Sequence, residues 1–122
     1  MTIPSRVLAS GVNSMSTVAI CGDGGFGLTA TGTTASDAYQ INRIYSEFTT
    51  VPSSANGAKL PQTEEGASIL ISNAGANTME LYPYDTNSTI NGLTKITIKK
   101  DHSVLVFAVS KTAWRTLMSA FV

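Results

Sequence analysis

The sequence predicts an all-β protein: a compact β-sandwich or jelly-roll-like barrel preceded by an extended N-terminal arm. Three observations lead there. Short runs of β-branched and apolar residues alternate with turn signals at the spacing of sandwiches and barrels. Two Asn-Gly pairs, Asn56-Gly57 and Asn91-Gly92, supply tight-turn chemistry. No stretch carries a sustained helical period. With 122 residues the chain holds one domain. The arm is assigned to residues 1–16 and the β domain to residues 17–122.

The first stretch, "MTIPSRVLASGVNSMST", is dotted with apolar residues but shows neither a helical nor an alternating pattern. Such a segment reads as extended chain that finds its partners outside its own domain. "STVAIC" and "LTATGT" are strand-like and flank a glycine cluster. "YQINRIYSEFTTV" sets Ile41, Arg43, Tyr45 and Glu47 against Asn42, Ile44, Ser46 and Phe48. A short helix from Ser36 or Asp37 competes there, but Thr49, Thr50 and Val51 favour strand. "VPSSANGAKLP" reads as a loop turning at Asn56-Gly57.

The second half is clearer. "ASILISN" is an apolar strand closed by "NAGAN", and "TMELYP" places Met79 and Leu81 opposite Glu80 and Tyr82. "YDTNS" turns the chain, "TINGL" turns it again, and "TKITIKK" points Ile96 and Ile98 inward. After "DHS", "VLVFAVS" is apolar on both faces and reads as a central strand. "TAWRTLMSAFV" carries Trp114, the largest core candidate.

Eight basic and eight acidic residues cancel, and only 13% of the chain is charged against 43% hydrophobic. The usual charged share is about 25%. So neutral a surface suits a protein packed against neighbours. It also excludes nucleic-acid binding through a basic stripe. Lys95, Lys99 and Lys100 are expected to form a solvated face or to guard a strand edge. Cys21 is the only cysteine, so no disulfide forms within the chain, as suits assembly in a reducing cytoplasm. No signal peptide is recognisable, and no run approaches the ~20 apolar residues of a membrane span.

"STVAICGDGGFG" fits G-x-G-x-x-G at Gly22, Gly24 and Gly27, and Glu47 follows about twenty residues on, as in dinucleotide sites. Those sites need a helix after the glycines, to hold pyrophosphate on its N-terminal amides. "LTATGTTAS" is a poor helix, rich in threonine and broken by Gly32. Glycine here is expected to serve a turn or bulge instead. His102, the only histidine, reads as a turn residue beside Asp101. One His and one Cys cannot close a zinc site. Glu64 and Glu65, adjacent in sequence, would point apart on a strand. The sequon Asn87-Ser88-Thr89 has no meaning without secretion. No catalytic, cofactor-binding or metal-ligating set emerges, and no enzyme is expected.

Leu60-Pro61, Glu65-Gly66, Ile69 to Ser72, Gly75-Ala76-Asn77, Tyr82-Pro83, Ile90-Asn91-Gly92 and Val104 to Trp114 form an ordered series of steps, strands and turns. That order resembles a module of small virion proteins of tailed bacteriophages. The opening "IPSRVLASGVNSMSTVAICGDG" is similar to the N-terminus of such proteins. The resemblance covers most of the chain and rests on turn signatures, not on catalytic ones. It implies a capsid decoration (cement) protein, acting as a homotrimer on the outer head surface and made in the host cytoplasm. Its partners would be the major capsid protein and neighbouring decoration subunits, without nucleic acid or membrane. Within the arm, Ile3, Pro4, Arg6, Val7 and Leu8 are the expected contacts, since extended segments can add to exposed sheet edges. The rival readings are a head fibre or adhesion module binding a glycan through Tyr82, Tyr84 and Trp114, and a head–tail connector or tail component.

Overall fold

The computed structural model describes residues 9–11, 13 and 22–121. Arm residues Ile3, Pro4, Arg6, Val7 and Leu8, the run "STVAIC" and Cys21 lie outside the described residues. Ten strands form the regular structure of the rest: β1 (Gly24–Thr29), β2 (Tyr39–Gln40), β3 (Tyr45–Thr50), β4 (Gly57–Lys59), β5 (Ser68–Asn73), β6 (Met79–Tyr82), β7 (Thr89–Ile90), β8 (Ile96–Ile98), β9 (His102–Ala108) and β10 (Ala113–Ala120).

The all-β expectation holds, but the path of the chain is not that of a sandwich or jelly roll. Odd and even strands alternate between two sheets through β6. β1, β3 and β5 lie side by side and parallel in sheet A, and β2, β4 and β6 do the same in sheet B. The chain therefore winds as three stacked coils, like a short solenoid. A jelly roll is built from antiparallel Greek keys, whereas five of the eight strand pairings described here are parallel. The winding then stops. β8 closes sheet B antiparallel to β6, and the β9–β10 hairpin extends sheet A antiparallel to β5. Sheet A runs β1-β3-β5-β9-β10-β7 and sheet B runs β2-β4-β6-β8.

The core fills the space between the sheets. Phe48, Ile71, Val104, Val106 and Trp114 come from sheet A, and Ala58, Met79, Leu81 and Ile98 from sheet B. Tyr39 meets Phe48 edge-on across that space, with ring centroids 5.4 Å apart. Period-two burial is kept for Met79 and Leu81 in "TMELYP" and for Ile96 and Ile98 in "TKITIKK", as expected, and it also runs from Ser68 to Ile71 in the apolar strand "ASILISN". Tyr82 is buried as well, on the opposite side of β6 from Leu81. In "YQINRIYSEFTTV" the alternation is interrupted by a corner at residues 41–44. Ile41 enters the core, and β3 then points Ser46 and Phe48 inward.

In each of the three coils the corner from sheet A to sheet B is closed by an Asx side chain. Asp37 Oδ1 accepts from the backbone N–H groups of Thr33 and Thr34, Asn56 Oδ1 from Ser53, and Asn73 Oδ1 from Gly75. Two amides also stitch coil to coil: Asn56 Nδ2 donates to Gly32 O, and Asn77 Nδ2 to Val51 O, both at 2.8 Å. Asn56-Gly57 is thus not the tight turn expected from the sequence. Asn56 closes a corner, and Gly57 opens β4 directly against the Glu80 carbonyl, where a Cβ would collide. Asn91-Gly92 does turn as expected, with φ of 55° and 78° and Ile90 and Leu93 exchanging both backbone hydrogen bonds.

Candidate binding face

Strand pairing aligns side chains into rows on the outward face of sheet A. One row runs Gly24, Tyr45, Leu70, Leu105, Leu117 across five strands. Period two dictates its character. Ile69, Ile71, Val104 and Val106 alternate inward, so the equally apolar Leu70, Leu105 and Phe107 must face out. Leu117 and Phe26, at 68% exposure each, terminate the strip. Phe26 lies against Tyr45 with ring centroids 5.4 Å apart, and a Cβ on Gly24 would press on its ring at 3.0 Å. β9 is central in pairing order, as the sequence suggested, yet its second apolar face is open to solvent.

Beside the apolar row runs a polar one: Glu47, Ser72, Ser103, Ser119. The hydroxyls of Ser72 and Ser103 bond at 2.7 Å, and Tyr45 OH donates to Glu47 Oε2 at 3.1 Å. Arg115, level with Phe107 and Ser68, stands on the other side. A contiguous apolar strip with polar margins is the signature of a contact surface.

The glycine cluster lies within β1 and at its start. Gly22 and Gly27 have φ of 85° and 68°, and the β1–β3 register slips between Gly25 and Leu28. The slip turns Leu28 toward the core while Gly24 and Phe26 face outward, the work of a bulge. Leu28 and Thr29 continue the strand beyond Gly27.

Tyr82, Tyr84 and Trp114 do not share an exposed face. Trp114 is fully buried, Tyr82 is 8% exposed and Tyr84 43%. Tyr84 borders a groove of about 510 Å³ with Lys59, Tyr82, Pro83, Asp85 and Lys95, and the Lys59 ammonium lies 5.7 Å from its ring centre. His102 begins β9, and its Nδ1 lies 2.9 Å from Lys100 O, after a turn at Asp101 with φ of 59°. Among the described residues no three His, Cys, Asp or Glu side chains gather as metal ligands. Sequence reasoning missed the outward leucine row. Its signal was present in "SILIS" and "VLVFA", where both faces are apolar and one sheet face lacks a cover.

No known protein family, curated protein or solved structure matches this chain.

Proposed function

We propose that the chain is a capsid decoration (cement) protein of a tailed bacteriophage, seated on the outer surface of the assembled head. The observation that carries this reading is the apolar row Tyr45, Leu70, Leu105, Leu117 on an otherwise neutral body. It offers shape and dry surface, the means by which one protein occupies a place on another. The resemblance of its order of turns to that of small phage virion proteins points the same way. The partner is the major capsid protein, with further copies of this chain grouped as a homotrimer. In this reading the arm, through Ile3, Pro4, Arg6, Val7 and Leu8, lies across neighbouring subunits.

The mechanism is differential affinity. A subunit that binds the assembled lattice more tightly than loose capsomers stabilises the lattice by mass action, with no chemical step, cofactor, nucleic acid or membrane.

The test is binding to purified heads that lack the protein, read as copies per particle. Hundreds of copies are expected, against about a dozen for a connector or fibre set by closed symmetry. Leu105→Lys should leave the fold intact and lower occupancy. A chain starting near Ser16 should fold and bind poorly, and undiminished occupancy would remove the arm from the mechanism. If neither wild type nor variants sediment with heads, the decoration reading fails.

A further inference from the structure

Among the described residues, sheet A ends with an edge that is largely open. β7 covers β10 only at Ala113 and Trp114. The backbone groups farther along β10 can be assigned a direction from the ladder. Val109 N donates to Ala113 O and Phe121 N to Asp101 O, so odd-numbered residues of β10 bond toward β9. Even-numbered ones therefore point away. Asn91 N donates to Trp114 O, and Thr116 N donates to Asn91 Oδ1 at 3.2 Å. Beyond Thr116, among the described residues, no backbone partner meets the outward groups of Met118 and Ala120. Residues 117–121 are all exposed.

Natural edges are blunted by charge, by bulges or by a covering loop. β8, the edge of sheet B, is flanked by Lys95, Lys99 and Lys100. β10 carries no charged side chain from Thr116 onward. Among the described residues, from Leu117 onward it is uncharged, exposed and without a covering loop.

We infer that β10 pairs antiparallel with β10 of a second copy of this chain, in the register centred on Ser119. The sequence is self-complementary there. Met118 faces Ala120 of the second copy, twice by symmetry, and each pair exchanges two N–H···O=C bonds. Ser119 Oγ already donates to Ala120 O at 3.3 Å, which leaves that carbonyl a second lone pair. On the outward face Leu117 lies opposite Phe121 of the second copy. These side chains are 68% and 44% exposed in the single chain, and the pairing covers both. A register centred on Met118 would bring Ala120 of the second copy against Thr116, where the Asn91 side chain already sits. With no like charges to repel and the same patch on both partners, the contact is isologous and closes as a two-fold dimer. It does not depend on the capsid reading: the dimer is the state of the free chain in solution, whereas the homotrimer of that reading belongs to the head surface.

Sedimentation equilibrium of the full chain over a concentration series is expected to show a monomer–dimer equilibrium. Leu117→Lys changes an exposed side chain, so circular dichroism should be unaltered while the dissociation constant rises roughly tenfold or more. Ser119 and its symmetry mate form a non-hydrogen-bonded pair with Cα atoms about 4.5 Å apart, within disulfide reach. Ser119→Cys should therefore give a covalent dimer on oxidation far in excess of wild type, whose Cys21 serves as the control. A wild-type monomer throughout the series overturns the inference. So does a dimer or trimer indifferent to Leu117→Lys with no Ser119→Cys cross-link. If Leu117→Lys fails to fold, the cross-link alone decides.

Discussion

The indole N–H of Trp114 donates to Thr63 Oγ1 at 2.9 Å, and Thr63 Oγ1 donates onward to Ser88 Oγ at 3.1 Å. All three residues are buried, so a loop after β4, the turn before β7 and strand β10 meet through one polar chain inside the core. A buried indole needs a partner for its N–H, and here a threonine hydroxyl both accepts and donates.

Removing the ring should be costly. Trp114→Ala is expected to lower unfolding free energy by roughly 3–5 kcal/mol, much of a small domain's margin. Thr63→Val keeps the volume but leaves the indole N–H without its acceptor, for about 1–3 kcal/mol. Urea unfolding of the two variants checks both. A Thr63→Val midpoint equal to wild type would mean that water reaches the indole.

Asn73 is fully buried at the end of β5, and its side chain ties three segments. Nδ2 donates to Asn77 O and Ile98 O, both at 2.9 Å, and Oδ1 accepts from Gly75 N at 3.0 Å. Asn73→Ala strands these groups, at about 1–3 kcal/mol for each one that water does not reach. Thermal unfolding should show a clear drop, and amide exchange should be fastest in the 74–77 corner. Unchanged exchange there would show that the corner holds without its side-chain tie.

The existence of most strands was legible, and the way the chain winds them was not. Apolar alternation in "TKITIKK" and the Asn91-Gly92 turn carry their structure locally. Parallel and antiparallel strands share the same period of two, so "ASILISN" gives no sign that its neighbour β3 runs parallel to it. Coils of unequal length hide the repeat as well. Sheet A partners Gly24 and Tyr45 are 21 residues apart and Tyr45 and Leu70 are 25 apart; in sheet B, Tyr39 and Ala58 are separated by 19. Of the binding face, both apolar stripes of β9 were visible, but which faced solvent depends on the cover supplied by sheet B. The arm contacts, at Ile3, Pro4, Arg6, Val7 and Leu8, lie outside the described residues.

Gly57 separates the two meanings of an Asn-Gly pair. At Gly92 the φ is positive and no atom stands near a Cβ; at Gly57 the φ is not positive, and a Cβ would strike the Glu80 carbonyl oxygen of the next coil. Gly57→Ala must push β4 away from β6 and should destabilise by more than about 1 kcal/mol. Gly92→Ala is strained by its backbone alone, at about 1 kcal/mol. Melting temperatures rank the two, and Gly57→Ala should fall lower. The opposite ranking would show that the coils separate easily.

Asp37 gives the fold a pH-sensitive corner. Its carboxylate is held below the ordinary carboxylate pKa, first by the backbone N–H of Thr34 at 2.8 Å, then by the Thr34 hydroxyl at 2.9 Å, with Thr33 N adding a weaker bond at 3.1 Å. These donors favour the charged form in the folded chain. The direction follows: the stabilisation is complete above the unfolded-state pKa and is lost as pH falls through the lowered folded value. Because the side chain is open to solvent, the effect stays local. NMR titration should give Asp37 a pKa below a free aspartate, and amide protection at Thr33 and Thr34 should decline in step with it. Asp37→Asn keeps an acceptor but cannot titrate, so its protection should not follow that curve. If protection in wild type is flat across that range, the carboxylate does not hold the corner.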